Sequence, residues 1–216
     1  MIYNLNESQS LINQYLAEMR DAQIQKDSLR YRINTERIGI LVGYEISKKL
    51  EYKDVDIQTP LGISNSKILK DKIVLATILR AGLPLNSGLL HVFDKAESGF
   101  VTAYRKYQSG NDFEIKVEYM SAPDIQDKIL ILSDPMLATG ASMIMSYKAL
   151  LKRGKPKHTH IVSVLASKEG IEYVKRNIKA SDFTIWTGAI DDELTAQSYI
   201  VPGLGDAGDL AFGKKD

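Results

Sequence analysis

The chain has 216 residues, with 28 basic and 27 acidic side chains, 44% hydrophobic residues and no cysteine. This length and hydrophobic content are typical of a folded globular domain, and the lack of cysteine excludes disulfides, thiolate zinc sites and a thiol nucleophile. The formal net charge of +1 is not that of a dedicated nucleic-acid binder, and neither a long apolar span nor a signal peptide is found. We therefore expect a cytoplasmic protein with no nucleic-acid or membrane partner.

The first fifty residues have the spacing of helices. Apolar residues recur there every three or four positions, namely Leu11, Ile12, Tyr15, Leu16 and Met19, and Asn6 or Ser8 is a candidate N-cap. From residue 53 the period changes to two on either side of Pro60-Leu61-Gly62. This pattern predicts a hairpin over 53–69 that follows an N-terminal helical arm, residues 1–52.

From Asp71 onward, buried strands alternate with loops and helices. Apolar runs predict strands at 72–79, 128–133, 160–166 and 183–187, and a second hairpin-like pair flanks a polar tip at 108–112. Such alternation is typical of an α/β fold with a doubly wound, mostly parallel sheet. Because no linker divides the chain, we expect a single domain over 1–216. Its core is residues 53–198, and the glycine-rich segment 199–216 is predicted to be a loop.

Small side chains follow the predicted strand 128–133. After Asp134, the stretch 138–142 (Ala-Thr-Gly-Ala-Ser) contains only small residues and leads into a helix. Small residues let backbone N–H groups approach a ligand, and a helix N-terminus favours a phosphate. The Asp134 carboxylate suits sugar hydroxyls. The loop thus indicates a site for a phosphorylated sugar, although an ordinary strand-to-helix turn collects the same residue types.

Two further loops are candidate binding segments. Arg80-Ala81-Gly82 follows the strand 72–79 and could present a cation and bare backbone to a diphosphate, or be an ordinary surface turn. The segment 199–209 contains three closely spaced glycines and two aspartates. It is too apolar at its start for a disordered tail. An ordered glycine-rich loop of this kind indicates that a ligand is read by backbone groups.

The remaining candidates favour structural roles. His158 and His160 lie two apart, but no carboxylate cluster accompanies them, so we expect them to face solvent instead of holding a metal. Trp186, the single tryptophan, is predicted to lie in the core. No order of Ser, His and Asp indicates acyl transfer.

Taken together, four segments resemble the uracil phosphoribosyltransferase family, which belongs to the type I phosphoribosyltransferases. They are ILRAGL (78–83), Tyr104-Arg105, DPMLATGAS (134–142) and YIVPGLGDAGD (199–209). The resemblance implies the family's fold and its reaction: uracil and 5-phosphoribosyl 1-diphosphate (PRPP) give UMP and diphosphate, with Mg²⁺, in pyrimidine salvage. It implies an oxocarbenium-like transition state in which the protein supplies no nucleophile and no obvious general base.

The resemblance also assigns residues to roles. The implied catalytic residues are Arg80, Arg105 and Asp134. The implied PRPP-binding residues are Arg80, Arg105, Asp134, Pro135, Met136, Leu137, Ala138, Thr139, Gly140, Ala141, Ser142 and Asp206. The implied uracil-binding residues are Ile200, Gly205, Asp206 and Ala207. Mg²⁺ is expected to be held mainly by substrate oxygens, without protein ligands, and the Arg80–Ala81 peptide bond is expected to be cis.

Other properties of the family extend these expectations. A homo-oligomer, dimer or tetramer, and a GTP effector are implied by the resemblance. An alternative function is that of an RNA-binding pyrimidine-operon regulator with the same fold, although the charge of +1 offers it little support. A phosphoribosyltransferase for another base is a third alternative, which the segment 199–209 disfavours.

Overall fold

The computed structural model describes residues 1–107 and 113–214, without the side chains of residues 103–107 and 113–118. Its helices are α1 (Leu11–Arg20), α2 (Ser28–Ser47), α3 (Leu83–Val92), α4 (Ala141–Leu150), α5 (Lys168–Asn177) and α6 (Ala207–Phe212). Its strands are β1 (Ile2–Asn4), β2 (Tyr52–Thr59), β3 (Gly62–Leu69), β4 (Ile73–Leu79), β5 (Glu97–Tyr107), β6 (Phe113–Ser121), β7 (Ile129–Ser133), β8 (Met136–Leu137), β9 (His158–Ser167), β10 (Phe183–Asp191), β11 (Glu193–Leu194) and β12 (Ile200–Val201).

The central sheet confirms the predicted fold class. Its strand order is β1-β10-β9-β7-β4-β5-β6, with β8 paired to β9. Neighbouring strands from β1 to β5 along this order are parallel, and only the pairing of β5 with β6 is antiparallel. Connections through helices place the carboxyl ends of the parallel strands at one edge, where ligands of such sheets bind.

Both faces of the sheet are covered, which explains the continuous apolar run in β4. Ile73 and Leu75 point to the side where α1, α2 and α3 pack, whereas Val74 and Ala76 point to the side of α4 and α5. Successive side chains of a strand alternate between its faces, so a strand with two covered faces needs apolar residues throughout. The sheet is therefore doubly wound.

Two hairpins form at the sequence positions where they were predicted. β2 and β3 pair along their whole length, from Tyr52 with Leu69 to Thr59 with Gly62, in a separate two-stranded sheet. β5 and β6 pair as the second hairpin, and its predicted tip, 108–112, lies outside the described residues. Within the described ranges, no helix has both the length and the apolar character needed to cross a membrane.

Both ends of the chain differ from the prediction. Residues 2–4 form the edge strand β1, and the N-cap of α1 is Ser10, whose Oγ accepts from the N–H of Ile12 at 3.2 Å. Asn6 and Ser8 were the wrong candidates because the helix begins later. The tail 199–216 was predicted to be a loop, but it contains β12 and α6. Gly208 lies inside this short helix and the other glycines of the tail flank it, so composition alone concealed it.

Candidate active site

A cavity of about 230 Å³ opens at the carboxyl ends of β4 and β7. The three loops singled out in the sequence converge on it, as expected for an open α/β sheet. Its lining is Ile78, Leu79, Arg80, Ala81, Asp134, Met136, Leu137, Ala138, Thr139, Gly140, Ser142, Met143, Ser198, Tyr199, Ile200, Gly205, Asp206, Ala207 and Gly208.

Of the residues assigned by the resemblance, Pro135 and Ala141 do not line this cavity. The carbonyl of Pro135 points into the sheet, where it accepts from the N–H groups of Val164 and Leu165 at 2.9 and 3.0 Å. Ala141 is the first residue of α4, so its contribution is limited to its backbone. The side chain of Arg105 lies outside the described residues.

The segment Ala138–Ser142, called the phosphate loop here, ends at the N-terminus of α4. Gly140 is the N-cap and has φ +79°, a conformation that glycine adopts at little cost. The Thr139 Oγ1 accepts weakly from the N–H of Ala141 at 3.4 Å. Thr139 and Ser142, which carry hydroxyls, line the cavity, and the N–H groups of the first turn of α4 have no intrahelical acceptor, which favours an anion.

Helix α5 holds the phosphate loop in place through contacts that the sequence did not reveal. The Ser167 Oγ donates to the carbonyl of Ala138 at 2.5 Å and accepts from the N–H of Gly170 at 2.8 Å. A Cβ on Gly170 would meet the Ala138 carbonyl oxygen and lie 2.6 Å from that of Leu137. Ser167 is readable from sequence as an N-cap, but its contact with Ala138 is a tertiary one.

Arg80 is exposed at the rim of the cavity. Its Nη2 donates to the carbonyl of Gly213 at 3.1 Å, which ties the β4 loop to the end of the chain. A Cβ on Gly82 would meet Thr77 and lie 2.6 Å from the carbonyl oxygen of Ile78, so only glycine allows this turn. A non-proline cis peptide bond lies at Leu79–Arg80 and not at the predicted Arg80–Ala81.

The segment Ile200–Ala207, called the base loop here, lies across the cavity from the phosphate loop. It begins in β12, which pairs with β11, and ends at α6. The Asp206 Oδ1 caps α6 by accepting from the N–H groups of Gly208 and Asp209 at 2.8 and 3.0 Å. Ile200 and Ala207 are buried. The loop is thus fixed at both of its ends.

The middle of the base loop contacts an ion pair that the sequence did not indicate. Arg20, at the end of α1, and Asp191, at the end of β10, both hydrogen-bond to Gly203. The two residues are 171 positions apart in the sequence, and neither belongs to a recognisable motif. Only the tertiary structure brings them to the site.

Carboxylates near the cavity are few in the described part of the chain. Asp134 and Asp206 both line it, and no group of three or more His, Asp or Glu side chains suited to a metal is found among the described residues. The two carboxylates are hard oxygen ligands of the kind that Mg²⁺ uses together with substrate phosphates.

The histidine pair lies at the opposite end of β9 from the cavity. His160 is buried, which contradicts its expected solvent-facing position, and its Nδ1 accepts from the indole N–H of Trp186 at 3.0 Å. Burial lowers the pKa of His160 to about 3, so the ring is neutral. Trp186 lies in the core as predicted. The pair therefore has a structural role.

Comparisons with known proteins agree with this arrangement of loops. The sequence profile described as "Uracil phosphoribosyltransferase" matches residues 6–214. The chain is 52% identical to a Porphyromonas gingivalis uracil phosphoribosyltransferase over 99% of both chains. It is 37% identical to one from Thermococcus gammatolerans, over 98% of this chain and 93% of the relative.

A solved structure extends the agreement to the fold. A protein from Aquifex aeolicus superposes with a TM-score of 0.87 at 30% identity, covering 99% of this chain and 98% of the other. The similarity therefore includes the N-terminal helices, the hairpins and the C-terminal segment as well as the sheet. On the profile match and the identities over nearly the full length, the chain belongs to the uracil phosphoribosyltransferase family.

Proposed function

We propose that the protein transfers the 5-phosphoribosyl group of PRPP to N1 of uracil, giving UMP and diphosphate. The observation that carries this proposal is the convergence of the β4 loop, the phosphate loop and the base loop on one cavity. A donor with two phosphorylated ends and a flat base needs three such surfaces. Membership of the uracil phosphoribosyltransferase family supports the same reaction.

The phosphate loop is the proposed site of the 5′-phosphate. Its backbone N–H groups lie at the N-terminus of α4, and Thr139 and Ser142 add hydroxyl donors. Asp134, which precedes the phosphate loop and lines the same cavity, is the proposed acceptor from the ribose hydroxyls. Arg80, at the rim, is the proposed contact of the diphosphate, because guanidinium binds phosphate oxygens in a bidentate manner.

The base loop is the proposed uracil site. The reading edge of uracil presents an acceptor, a donor and an acceptor, which backbone N–H, C=O and N–H groups complement. Cytosine would place an amino group against an N–H donor and leave buried groups unpaired, a mismatch that can cost roughly 10⁴-fold in selectivity. The proposal is supported by the cavity lining, which includes Ile200, Gly205, Asp206 and Ala207.

The proposed chemistry breaks the bond between C1 of the ribose and the diphosphate oxygen and forms a bond from C1 to N1 of uracil. The electron pair of the broken bond leaves with diphosphate, and the N1 proton passes to solvent. C1 carries positive charge in the transition state. Arg80 stabilises the negative charge on the leaving group, while the two loops hold the reactants in line.

Mg²⁺ fits this cavity as a partner of the donor. Asp134 and Asp206 offer hard oxygen ligands, although no cage of protein carboxylates surrounds them in the described residues. We propose that the donor's own oxygens and water supply most of the coordination. The ion would neutralise charge on the diphosphate.

Several sequence predictions add to the proposal without being tested by it. The role of Arg105 at the diphosphate rests on the family resemblance. A GTP effector, a homo-oligomeric state and a cytoplasmic location also stay predictions. A GTP titration of turnover and sedimentation at several protein concentrations test the first two of these three.

The reaction is tested by measuring UMP formation from uracil and PRPP with Mg²⁺. Cytosine, hypoxanthine and orotate serve as competing bases. We expect UMP alone to form at a substantial rate, because the base loop complements one hydrogen-bonding edge. Turnover of hypoxanthine or orotate at a comparable rate contradicts the assignment. So does strong, salt-dependent RNA binding without uracil turnover.

The role of Arg80 is tested by Arg80→Ala. We expect kcat to fall by about 10²- to 10³-fold, since a charge that stabilises the leaving group is removed. The matched control is Arg176→Ala, an exposed arginine in the last turn of α5, which should leave kcat within twofold of the wild-type value. Near-normal turnover in Arg80→Ala would refute the assignment.

A further inference from the structure

An ion pair between the end of α1 and the end of β10 contacts the base loop. Arg20 and Asp191 form a bidentate pair, with Nη1 to Oδ2 and Nη2 to Oδ1 both at 2.7 Å. The same Nη1 donates to the carbonyl of Gly203 at 2.9 Å, and the Asp191 Oδ2 accepts from the N–H of Gly203 at 2.9 Å. The pair thus holds the two successive peptide groups that flank Gly203.

Both partners of the pair are attached to rigid elements. Arg20 is the last residue of α1, whose Ile12, Leu16 and Met19 are buried in the core. Asp191 is the last residue of β10 in the central sheet, and its side chain is 7% exposed. A planar, bidentate contact fixes direction as well as distance. The position of Gly203 is therefore set by the core and not by the loop itself.

The backbone at Gly203 leaves few alternative positions. Its φ is +56°, and a Cβ would meet the carbonyl oxygen of Ile200. Gly205 and Asp206, which line the cavity, follow two and three residues later. A shift of the Gly203 peptides is transmitted over this short distance to the groups that face the base.

We propose that the Arg20–Asp191 pair is a positioning device for uracil, which sets the backbone groups of the base loop without touching the substrate. This inference rests on the proposed function, in which the base loop reads uracil. Within the described part of the chain, the hydrogen bonds of the pair do not reach the phosphate loop or Arg80, so we expect its effect on uracil to exceed its effect on PRPP. Arg20 and Asp191 are accordingly positioning residues.

The experiment compares Arg20→Gln and Asp191→Asn with Glu18→Gln. Glu18 forms the other ion pair of α1, to Arg30 at 2.7 Å, and that pair ties α1 to α2 away from the loop. Each variant is assayed at a temperature well below its own Tm for kcat and for the KM of both substrates. We expect the first two variants to raise the KM for uracil by about 10- to 100-fold, since a misplacement near 1 Å has an effect of that size.

The KM for PRPP should stay within twofold in those variants, and Glu18→Gln should leave both KM values unchanged even where its Tm falls. A merely structural role would lower Tm in all three variants and leave the uracil KM alone, which overturns the proposal. An equal rise in both KM values overturns it as well. If Asp191→Asn does not fold, Arg20→Gln decides, because the Arg20 side chain is 24% exposed and tolerates a polar replacement.

Gly205→Ala separates the inference from the proposed function. Gly205 has φ +93° with no atom within 4 Å of an added Cβ, so the change strains the loop without a clash. We expect it to raise the uracil KM. If it does not, the base loop is not the uracil site and the proposed function fails in that respect. If it does, while Arg20→Gln and Asp191→Asn do not, the positioning role alone is refuted.

Discussion

The phosphate loop and the base loop face the same cavity but are held by different kinds of contact. The phosphate loop rests on α5 through one hydroxyl, that of Ser167, and one glycine, Gly170. The base loop rests on a bidentate ion pair formed by Arg20 and Asp191. One anchor is neutral and depends on close packing, whereas the other is charged and depends on hydrogen-bond direction.

The difference suits the ligand that we propose for each loop. A phosphate is a strong, nearly spherical anion that accepts hydrogen bonds from many directions, so an anchor that depends on close packing is sufficient support. A neutral base is read by the direction of a few hydrogen bonds. A planar guanidinium and a carboxylate fix the peptide groups beside those bonds more tightly than packing alone.

Of the substitutions that test this comparison, Gly170→Ala is expected to change a KM the most. Alanine favours a helix over glycine by about 1 kcal/mol, but its Cβ would meet the Ala138 carbonyl oxygen. We expect the clash to displace the phosphate loop and raise the KM for PRPP by about 100-fold, with the KM for uracil far less affected. Steady-state kinetics with each substrate varied in turn measures this.

The control for Gly170→Ala is Gly43→Ala in α2. A Cβ there would meet only the side chains of Val92 and Leu89, at 3.1 Å or more, which can move apart. We expect both KM values to stay near those of the wild type. If Gly170→Ala behaves in the same way, close packing does not anchor the phosphate loop.

A smaller effect on the KM for PRPP is expected from Ser167→Ala. The change removes the donor to Ala138 and the N-cap of α5, which together stabilise the fold by about 1–2 kcal/mol. We expect a lower Tm and a KM for PRPP that rises about tenfold, with an unchanged KM for uracil. Thermal unfolding and kinetics on the same preparation check the two parts.

Ser163→Ala is the matched control, since Ser163 lies on the same strand, β9. It is buried, and its Oγ has no hydrogen-bond partner among the described residues. Removing an unpaired buried hydroxyl should leave stability within about 0.5 kcal/mol of the wild type or raise it. Equal losses in the two variants would show that the Ala138 contact contributes nothing.

The smallest expected effect is a difference between the two anchors in how their contribution to the free energy of unfolding depends on pH. Burial by itself raises the pKa of Asp191, but hydrogen bonds from Arg20 and Gly203 outweigh it, so the pKa lies below its ordinary value of 3.8. A carboxyl with a lowered folded-state pKa stabilises the fold fully above its unfolded value and loses that contribution as pH falls through the folded one. Ser167 and Gly170 do not titrate.

We therefore expect wild type to exceed Asp191→Asn in free energy of unfolding by about 2 kcal/mol at pH 7. The difference should shrink below pH 4. The gap between wild type and Ser167→Ala should stay constant over the same range. Urea unfolding from pH 7 to pH 3 measures both gaps. A gap for Asp191→Asn that does not depend on pH would refute the charged character of the base-loop anchor.

Local patterns in the sequence were sufficient for the fold class and for the three loops that meet at the cavity. Apolar runs such as β4 and the small residues of 138–142 reflect burial and close backbone approach, which act over a few positions. The end of the chain shows the limit of such local patterns, because the glycines in and around α6 resemble those of a loop. The cap at Asp206 is what starts the helix.

The anchors of the two loops were decided by tertiary structure alone. Ser167 meets Ala138 across 29 positions, and Arg20 meets Asp191 across 171, so no local spacing marks either pair. His160 was misjudged for the same reason, since its burial depends on Trp186 in a neighbouring strand. The sequence by itself determined which segments line the cavity. The packing of distant helices and strands determined how firmly, and in which direction, each segment is held.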